Sequence, residues 1–219
     1  MNRWTITKDK FLTLEEVTSL YKKLEDTKDI CLQRKVNCVY IRDYYIIKTL
    51  LETGLRVAEL VALKLSDLRG NALIVQNGKG NKKRNILLSI PTKRLLKEFI
   101  ELKATILNEP IDDSSPLFIS ERKSPYTTRA IRKRVKCWFD RLGFNPFLSV
   151  HSCRHTYISH LMASGKVDIA TIRNNAGHSS LAVTDIYTHA VKDSLGDIDL
   201  YSSANSRKGN YYRRSGEKD

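Results

Sequence analysis

The chain has 219 residues and 41% of them are hydrophobic, which is enough for a real core in one large domain or two small ones. Lysine and arginine total 38 against 24 acidic residues, so the formal net charge is +14 at pH 7. This excess favours a polyanionic partner, because neutralising phosphates releases their condensed counterions. Charge alone does not separate DNA from RNA, since both classes of nucleic-acid-binding protein are basic.

Cysteine usage and hydropathy predict a cytoplasmic protein. None of the four cysteines, Cys31, Cys38, Cys137 and Cys153, forms the C-x-x-C pair typical of zinc sites. So few cysteines in so long a chain also argue against a disulfide framework, and we expect reduced thiols. No apolar run approaches the roughly 20 residues that span a bilayer. The first residues, MNRWTITKDKF, lack the apolar region of a signal peptide.

The hydrophobic pattern predicts a mainly α fold with one small antiparallel sheet, an α+β class. Thr13 and Glu16 form a capping box ahead of the first helix, and Gly54 ends a long apolar helix. The predicted helices cover residues 17–25, 38–53, 56–63, 91–106, 127–143, 151–164, 168–175 and 182–190. The predicted strands are ALIVQ (72–76) and RNILLS (84–89) around the turn NGKGN, and a short strand LFIS (117–120).

Two basic residues in the first half of the chain suggest a phosphate site. Arg56 follows Gly54 at a helix start, and a guanidinium can donate two parallel hydrogen bonds to one phosphate. Glu59 shares its helix face and can hold it in place, although the pair also fits a surface salt bridge. Lys79 lies in the glycine turn between two strands, where it can protonate a leaving oxygen or simply be solvated. Its competitors for that role are Lys82, Lys83 and Arg84.

The segment from His151 to Tyr187 adds further candidates for phosphoryl transfer. His151 and Arg154 lie three residues apart and therefore share a helix face. His178 follows a glycine, and Tyr187 lies nine residues beyond it. A phenol has a pKa near 10, so Tyr187 becomes a nucleophile only if a base accepts its proton and cations offset the phosphate charge. Each histidine taken alone is equally typical of a helix cap or a packed core residue.

These motifs resemble those of the tyrosine recombinases, also called the phage integrase family. TGLRVAEL resembles the family's first arginine box, GKGNKKR its β-hairpin lysine, HSCRHTYISHL its H-x-x-R-H box, and AGHSSLAVTDIYTH the box of the last histidine and the nucleophile. The boxes come in the family's order over residues 11–192. The resemblance implies the catalytic-domain fold of these enzymes. It also implies a catalytic set made up of Arg56, Lys79, His151, Arg154, His178 and Tyr187.

The chain departs from the family pattern in two respects. Cys153 stands where a leucine is usual, and Asn175 and Ala176 stand where two leucines commonly precede Gly-His; we interpret these as packing positions. Typical members carry a helical core-binding domain ahead of the catalytic one. Here we expect a catalytic domain over residues 1–201, a flexible basic tail over 202–219, and no core-binding domain in the chain. It therefore resembles the short members, such as the fimbrial phase-variation invertases, or it is a piece of a longer protein.

The resemblance implies that Tyr187 attacks a DNA phosphate, forms a 3′-phosphotyrosyl link and releases a 5′-hydroxyl. Arg56, Arg154 and His178 then neutralise the pentacoordinate phosphate, Lys79 protonates the leaving oxygen, and His151 assists proton movement at Tyr187. No cofactor is expected: the covalent link conserves bond energy, so no ATP is needed, and no carboxylate cluster has metal-site spacing.

The expected partner is double-stranded DNA carrying specific recombination sites, with no membrane. The helix over 127–143 is the predicted backbone-contacting element, although an exposed charged helix has the same composition. The candidate DNA-binding residues are Lys82, Arg129, Arg132, Lys133 and Lys136. In the family, the C-terminal segment packs into a neighbouring subunit. Residues 191–203 fit that role, so we expect a monomer in solution and a homotetramer on paired sites.

Three other interpretations remain open on the sequence. A type IB topoisomerase uses a similar residue set to nick and reseal one duplex. A non-catalytic DNA-binding regulator can keep the fold without the chemistry, although the complete set of six residues argues against it. A basic RNA-binding protein fits the charge, but no stacking sheet with paired aromatics is visible.

Overall fold

The computed structural model describes residues 8–34, 38–76, 83–165 and 167–176. Within these ranges the α-helices are α1 (Leu14–Arg34), α2 (Cys38–Thr53), α3 (Val57–Ala62), α4 (Ile90–Thr105), α5 (Thr128–Arg141), α6 (Val150–Ser164) and α7 (Ile169–Ala176). The strands are β1 (Leu68–Arg69), β2 (Ala72–Val75) and β3 (Arg84–Leu87), with short 3₁₀ turns at Lys8–Lys10 and Leu65–Asp67. The predicted α+β class is therefore confirmed. The predicted helix 182–190 and the tail 202–219 lie outside the described residues.

Helix α2 lies at the centre of the core, as its apolar sequence predicts. It packs against α1, α4, α5 and α6, and Tyr45, Ile47 and Leu50 are fully buried. Complete burial of one such side chain contributes about 1.5–3 kcal/mol before its entropy cost. The helix begins and ends as predicted, and Gly54 follows it with a φ of +63°. This left-handed conformation turns the chain sharply toward α3.

The capping box predicted ahead of α1 is confirmed. The Thr13 backbone N–H donates to Glu16 Oε2 at 2.8 Å, and the Glu16 N–H donates to Thr13 Oγ1 at 3.2 Å. Together these bonds satisfy two amide donors that the first turn of a helix leaves unpaired. The helix runs on to Arg34, well beyond the predicted segment 17–25.

A small antiparallel sheet has the strand order β1-β2-β3, and its strand β3 packs against α7. In the central pair, Leu73 lies opposite Ile86, and both are fully buried. The two predicted strands are confirmed in shorter form, and the two-residue strand β1 was not predicted. Because α7 packs against β3, the sheet brings the base of the hairpin close to the segment that leads to His178.

The prediction of a strand at LFIS (117–120) is wrong. Pro116 and Ile119 form only isolated bridges, to Lys64 and Pro125. Pro116 and Pro125, which take part in these bridges, have no N–H to donate to a strand ladder. Leu117, Phe118 and Ile119 are nonetheless buried, so their apolar character reflects core packing.

Helix α6 carries the H-x-x-R-H motif between α2, α5 and α7. It begins after Ser149, whose hydroxyl accepts from the His151 N–H at 3.3 Å, and it ends at Gly165, which has a φ of +62°. In the described part of the chain, no helix combines the length and the apolar character that crossing a membrane requires. Among the described cysteines, Cys31, Cys137 and Cys153 form no disulfide bond.

Candidate active site

Arg154 is buried and donates from Nη1 to the Gly54 carbonyl at 2.7 Å. Gly54 connects α2 to Arg56, so this bond joins the H-x-x-R-H motif to the first arginine motif across 100 residues of sequence. The two arginines predicted from separate motifs therefore lie on adjoining segments of one site.

Gly54 is required at this junction for two independent reasons. Its φ of +63° lies in the left-handed region, which favours glycine. A Cβ atom at this position would also lie 2.3 Å from Cδ1 of Tyr157, far inside van der Waals contact. Tyr157 therefore packs directly on the glycine whose carbonyl binds Arg154. Tyr157 was not among the site residues predicted from the sequence.

Arg56 precedes α3 and is held by Glu59, as the sequence predicted. The Arg56 backbone N–H donates to Glu59 Oε2 at 2.8 Å, and Arg56 Nη1 donates to Oε1 at 3.0 Å. The Arg56 side chain keeps 30% of its surface exposed, whereas that of Glu59 keeps 4%. A buried carboxylate thus orients a guanidinium that stays accessible from solvent, which is the geometry that an anion-binding arginine needs.

Arg84 makes the second ion pair to Glu59. Its Nη1 donates to Oε1 at 2.7 Å and its Nη2 donates to Oε2 at 2.8 Å, while Nε donates to the Asn175 carbonyl at 3.0 Å. Burial alone would raise the pKa of the Glu59 carboxyl, but hydrogen bonds from Arg84 and Arg56 outweigh it and lower that pKa. Glu59 is therefore ionised at neutral pH. The sequence left Arg84 open as an alternative to Lys79 for the role of proton donor. In the structure its side chain instead binds Glu59 and the Asn175 carbonyl.

His151 lies on the solvent side of α6 in a field of positive charge. Its pKa is lowered by burial and then by the charges of Arg132, Arg154 and Arg56. A lowered pKa keeps His151 neutral at pH 7, with one ring nitrogen free to accept a proton.

His155 lies one turn further along α6, on the inner side. Burial lowers its pKa to about 4, with smaller contributions from the charges of Arg154, His151 and Lys10. Its imidazole is therefore neutral over the whole physiological range.

Helix α5 carries the described candidates for DNA contact, and they fall into two groups. Arg129, Arg132 and Lys133 are exposed, and no hydrogen bond or ion pair joins them to another described residue. Lys136 instead donates to the Pro146 carbonyl at 2.8 Å and pairs with Asp140 at 2.7 Å. The charge of Arg132 also lowers the pKa of His151, so the exposed cations of α5 adjoin the candidate active site.

Four predicted site residues, Lys79, Lys82, His178 and Tyr187, lie outside the described residues. The sequence interpretation missed Asn175, which it took for a packing position. Its carbonyl accepts from Arg84, and its side-chain N–H₂ donates to Tyr157 Oη at 3.3 Å. Nothing in the spacing of the motifs indicates this role, because the contacts cross 91 and 18 residues of sequence. Among the described residues, no group of three or more His, Cys, Asp or Glu side chains is arranged to hold a metal ion.

The helical fold with its small sheet, and the meeting of two arginine motifs at α6, define the catalytic-domain class of the tyrosine recombinases. The sequence matches the model of the phage integrase family over residues 10–193, and the chain belongs to that family.

Among its relatives is the tyrosine recombinase XerC of Haemophilus influenzae strain PittEE, 32% identical over 168 residues, which are 76% of this chain and 55% of the relative. XerC of Thermodesulfovibrio yellowstonii is 32% identical over 183 residues, or 82% of this chain and 58% of the relative. The chain thus spans a little over half the length of these relatives.

Solved structures show the same similarity. The crystal structure of XerA recombinase aligns with a TM-score of 0.63 and 26% identity, covering 92% of this chain and 64% of XerA. The XerH site-specific recombinase bound to its difH substrate in a pre-cleavage complex aligns with a TM-score of 0.64 and 25% identity. That alignment covers 84% of this chain and 51% of XerH.

Proposed function

We propose that this chain is the catalytic part of a site-specific DNA recombinase or integrase. One observation carries the proposal: Arg56 and Arg154, held by Glu59 and the Gly54 carbonyl, lie on adjoining segments, and their charges and that of Arg132 lower the pKa of His151. Counting Arg84, the described residues of this cluster include four arginines and one carboxylate, Glu59, which binds Arg56 and Arg84. Such an excess of fixed positive charge stabilises a transferring phosphoryl group, since it needs no reorganisation when the negative charge develops.

The proposed reaction begins with the Tyr187 phenolic oxygen, which attacks a DNA phosphorus atom. The bond from phosphorus to the 5′-oxygen breaks, and a 3′-phosphotyrosyl link forms. Neutral His151 assists removal of the phenol proton, and Lys79 supplies a proton to the leaving 5′-oxygen. Attack of a second 5′-hydroxyl reverses the step on a partner strand. Each strand loses one phosphoester bond and gains another, so neither ATP nor a metal ion is required.

The proposed DNA surface combines the active site with the exposed face of α5. Arg56 and Arg154 bind the scissile phosphate, with His178 as a third donor, and Arg129, Arg132 and Lys133 contact neighbouring phosphates. Lys82 remains a candidate on the hairpin. Lys136 is a weaker one, because Asp140 and the Pro146 carbonyl already occupy its ammonium group. Assembly as a homotetramer on paired DNA sites is part of the proposal, as is the division into a catalytic domain (1–201) and a tail (202–219).

Covalent trapping tests the proposal. The full chain is incubated in EDTA with nicked duplexes taken from the DNA that flanks its gene, quenched in SDS, and examined for a protein–DNA adduct. The expected result is an adduct with the wild type and none with Tyr187→Phe, which removes only the nucleophilic oxygen.

The other outcomes separate the remaining functions. Tight duplex binding without an adduct would contradict the proposed enzymatic activity and favour a DNA-binding regulator. An adduct accompanied by relaxation of supercoiled DNA, with no strand exchange between two sites, would favour a type IB topoisomerase. An adduct that persists in Tyr187→Phe would assign the nucleophile to another tyrosine.

A further inference from the structure

Arg84 occupies a junction between three segments of the candidate active site. It is the first residue of β3, immediately after the hairpin that contains Lys79. Its side chain is 8% exposed and reaches Glu59 at the start of α3 and the Asn175 carbonyl near the end of α7. Asn175 precedes His178 by three residues in the sequence. One guanidinium therefore connects the hairpin base, the first arginine motif and the segment that leads to the nucleophile.

The contacts of Arg84 extend to both phosphate-binding arginines. Glu59, which Arg84 binds through both oxygens, also holds Arg56. On the other side, Asn175 donates to Tyr157, and the Tyr157 ring packs on Gly54, whose carbonyl binds Arg154. A displacement of Arg84 would consequently be transmitted to Arg56 through Glu59 alone and to Arg154 through a longer chain of direct contacts.

Only arginine can make this set of bonds. Two parallel N–H groups match the two oxygens of a carboxylate, while Nε points along a different edge of the same rigid plane toward a carbonyl. A lysine ammonium can neutralise Glu59, but as a point charge it does not fix the carboxylate plane and the Asn175 carbonyl together.

We propose that Arg84 is a positioning residue that sets the relative placement of Arg56 and the end of α7. The inference rests on the proposed function. We assign Arg84 no contact with the scissile phosphate or the leaving oxygen, because each of its three nitrogens already donates to Glu59 or Asn175 and its side chain is only 8% exposed. Its effect is therefore on phosphate binding and nucleophilic attack, and protonation of the leaving group by the hairpin lysine does not depend on it.

Adduct formation on two substrates tests this assignment. One nicked duplex has the ordinary 5′-oxygen at the scissile phosphate, and the other has sulfur in that bridging position. A thiolate leaves without being protonated, so the sulfur substrate removes the need for a general acid. Arg84→Met is expected to form adduct about 10- to 100-fold more slowly than wild type on both substrates, since small displacements of reacting groups cost rates of this order. Lys79→Met is expected to form adduct slowly on the oxygen substrate only.

Two further variants separate positioning from folding. Arg42→Met removes a buried arginine from a different ion pair, with Glu109, and reports the effect of lost stability alone. Arg84→Lys keeps a cation beside Glu59 and is expected to recover most of the melting temperature that Arg84→Met loses. It should still form adduct at least about tenfold more slowly than wild type.

The inference is overturned if Arg84→Met and Arg42→Met slow adduct formation equally at matched folded fraction. It is also overturned if the sulfur substrate restores the wild-type rate of adduct formation in the Arg84 variants, because Arg84 would then act through the leaving group. Failure of the proposed function is a separate result, namely a wild type that forms no adduct on either substrate.

Discussion

Two clusters of charged side chains flank the core of this protein, and their charge balance differs. The α2 cluster consists of Arg42, Asp43, Lys103, Glu109 and Arg134. The α6 cluster consists of Arg56, Glu59, Arg84, Arg132, His151 and Arg154. In the α2 cluster, both carboxylates are fully buried and each has two donors: Arg42 and Lys103 bind Glu109, while Arg134 and Trp138 bind Asp43. The α6 cluster has four arginines and a single carboxylate, Glu59, which binds Arg56 and Arg84.

The difference indicates what each cluster is for. Ionised groups withdrawn from water must be compensated, and the α2 cluster achieves this almost completely within itself. Its bonds join α2 to α4 and α5 and leave little charge for a ligand. The α6 cluster keeps Arg56 and Arg132 accessible to solvent, and its four arginines outnumber its one carboxylate, so a bound anion would add negative charge to the cluster. A DNA phosphate has the charge and the oxygen geometry to supply it.

The largest effect on stability is expected from Glu109→Gln. The substitution leaves Arg42 and Lys103 buried without their carboxylate, so we expect about 3–5 kcal/mol less unfolding free energy. Urea unfolding measures this value, and adduct formation is compared at equal folded fraction. The rate per folded molecule should stay at the wild-type value. A slow but fully stable variant would contradict the division of roles between the clusters.

Arg154→Lys tests the opposite behaviour in the α6 cluster. A lysine cannot donate to the Gly54 carbonyl and to a phosphate in the same fixed plane, so we expect adduct formation to fall by about 100- to 1000-fold. The unfolding free energy should change by only about 1 kcal/mol, the value of one hydrogen bond. The same two assays apply. A loss of stability as large as that of Glu109→Gln would mean that Arg154 is chiefly structural.

Gly54→Ala is expected to reduce both stability and rate, because Gly54 belongs to the fold and to the site. The left-handed φ and the clash with Tyr157 together cost about 2–4 kcal/mol. The double variant with Tyr157→Ala removes the clash and leaves the backbone strain. In urea unfolding, the alanine should therefore cost less in the Tyr157→Ala background than in wild type. An equal cost in both backgrounds would show that the ring is not the obstacle.

His155 predicts a pH dependence of stability. Its pKa in the folded protein is about 4, against 6.5 for the free group, so the unfolded chain binds the proton first as the pH falls. Stability should therefore be lost between about pH 7 and about pH 4, by at most about 3 kcal/mol. Urea unfolding at several pH values should give a flatter profile for His155→Gln than for wild type. Parallel profiles would assign the acid sensitivity to other groups.

The smallest effects are expected on the exposed face of α5. Arg129→Gln and Lys133→Gln should each lower the slope of log K against log salt for duplex binding by about 1, because each removes one phosphate contact. Fluorescence anisotropy over a range of salt concentrations measures the slope. Arg94→Gln, an exposed arginine on α4, serves as the control and should leave the slope unchanged. Equal changes in all three variants would mean that α5 is not a localised DNA surface.

Local signals predicted most of the helical fold correctly. The apolar run 38–53 followed by Gly54 predicted α2 with both of its ends correct, and the capping box at Thr13 predicted the start of α1. These features depend on neighbouring residues, which the sequence displays directly. The strand expected at LFIS was wrong because an apolar run with flanking prolines packs into the core without forming a ladder. Periodicity cannot distinguish that case from a strand.

The sequence by itself determined the family, the order of the catalytic motifs and the pairing of Arg56 with Glu59, since each of these is encoded in short segments. Only the tertiary structure decided that Arg84 shares Glu59 with Arg56, that Asn175 receives Arg84, and that the Gly54 carbonyl holds Arg154. These contacts join residues 25 to 100 positions apart. Their partners follow from how α3, β3, α6 and α7 pack, and that packing is a property of the whole core.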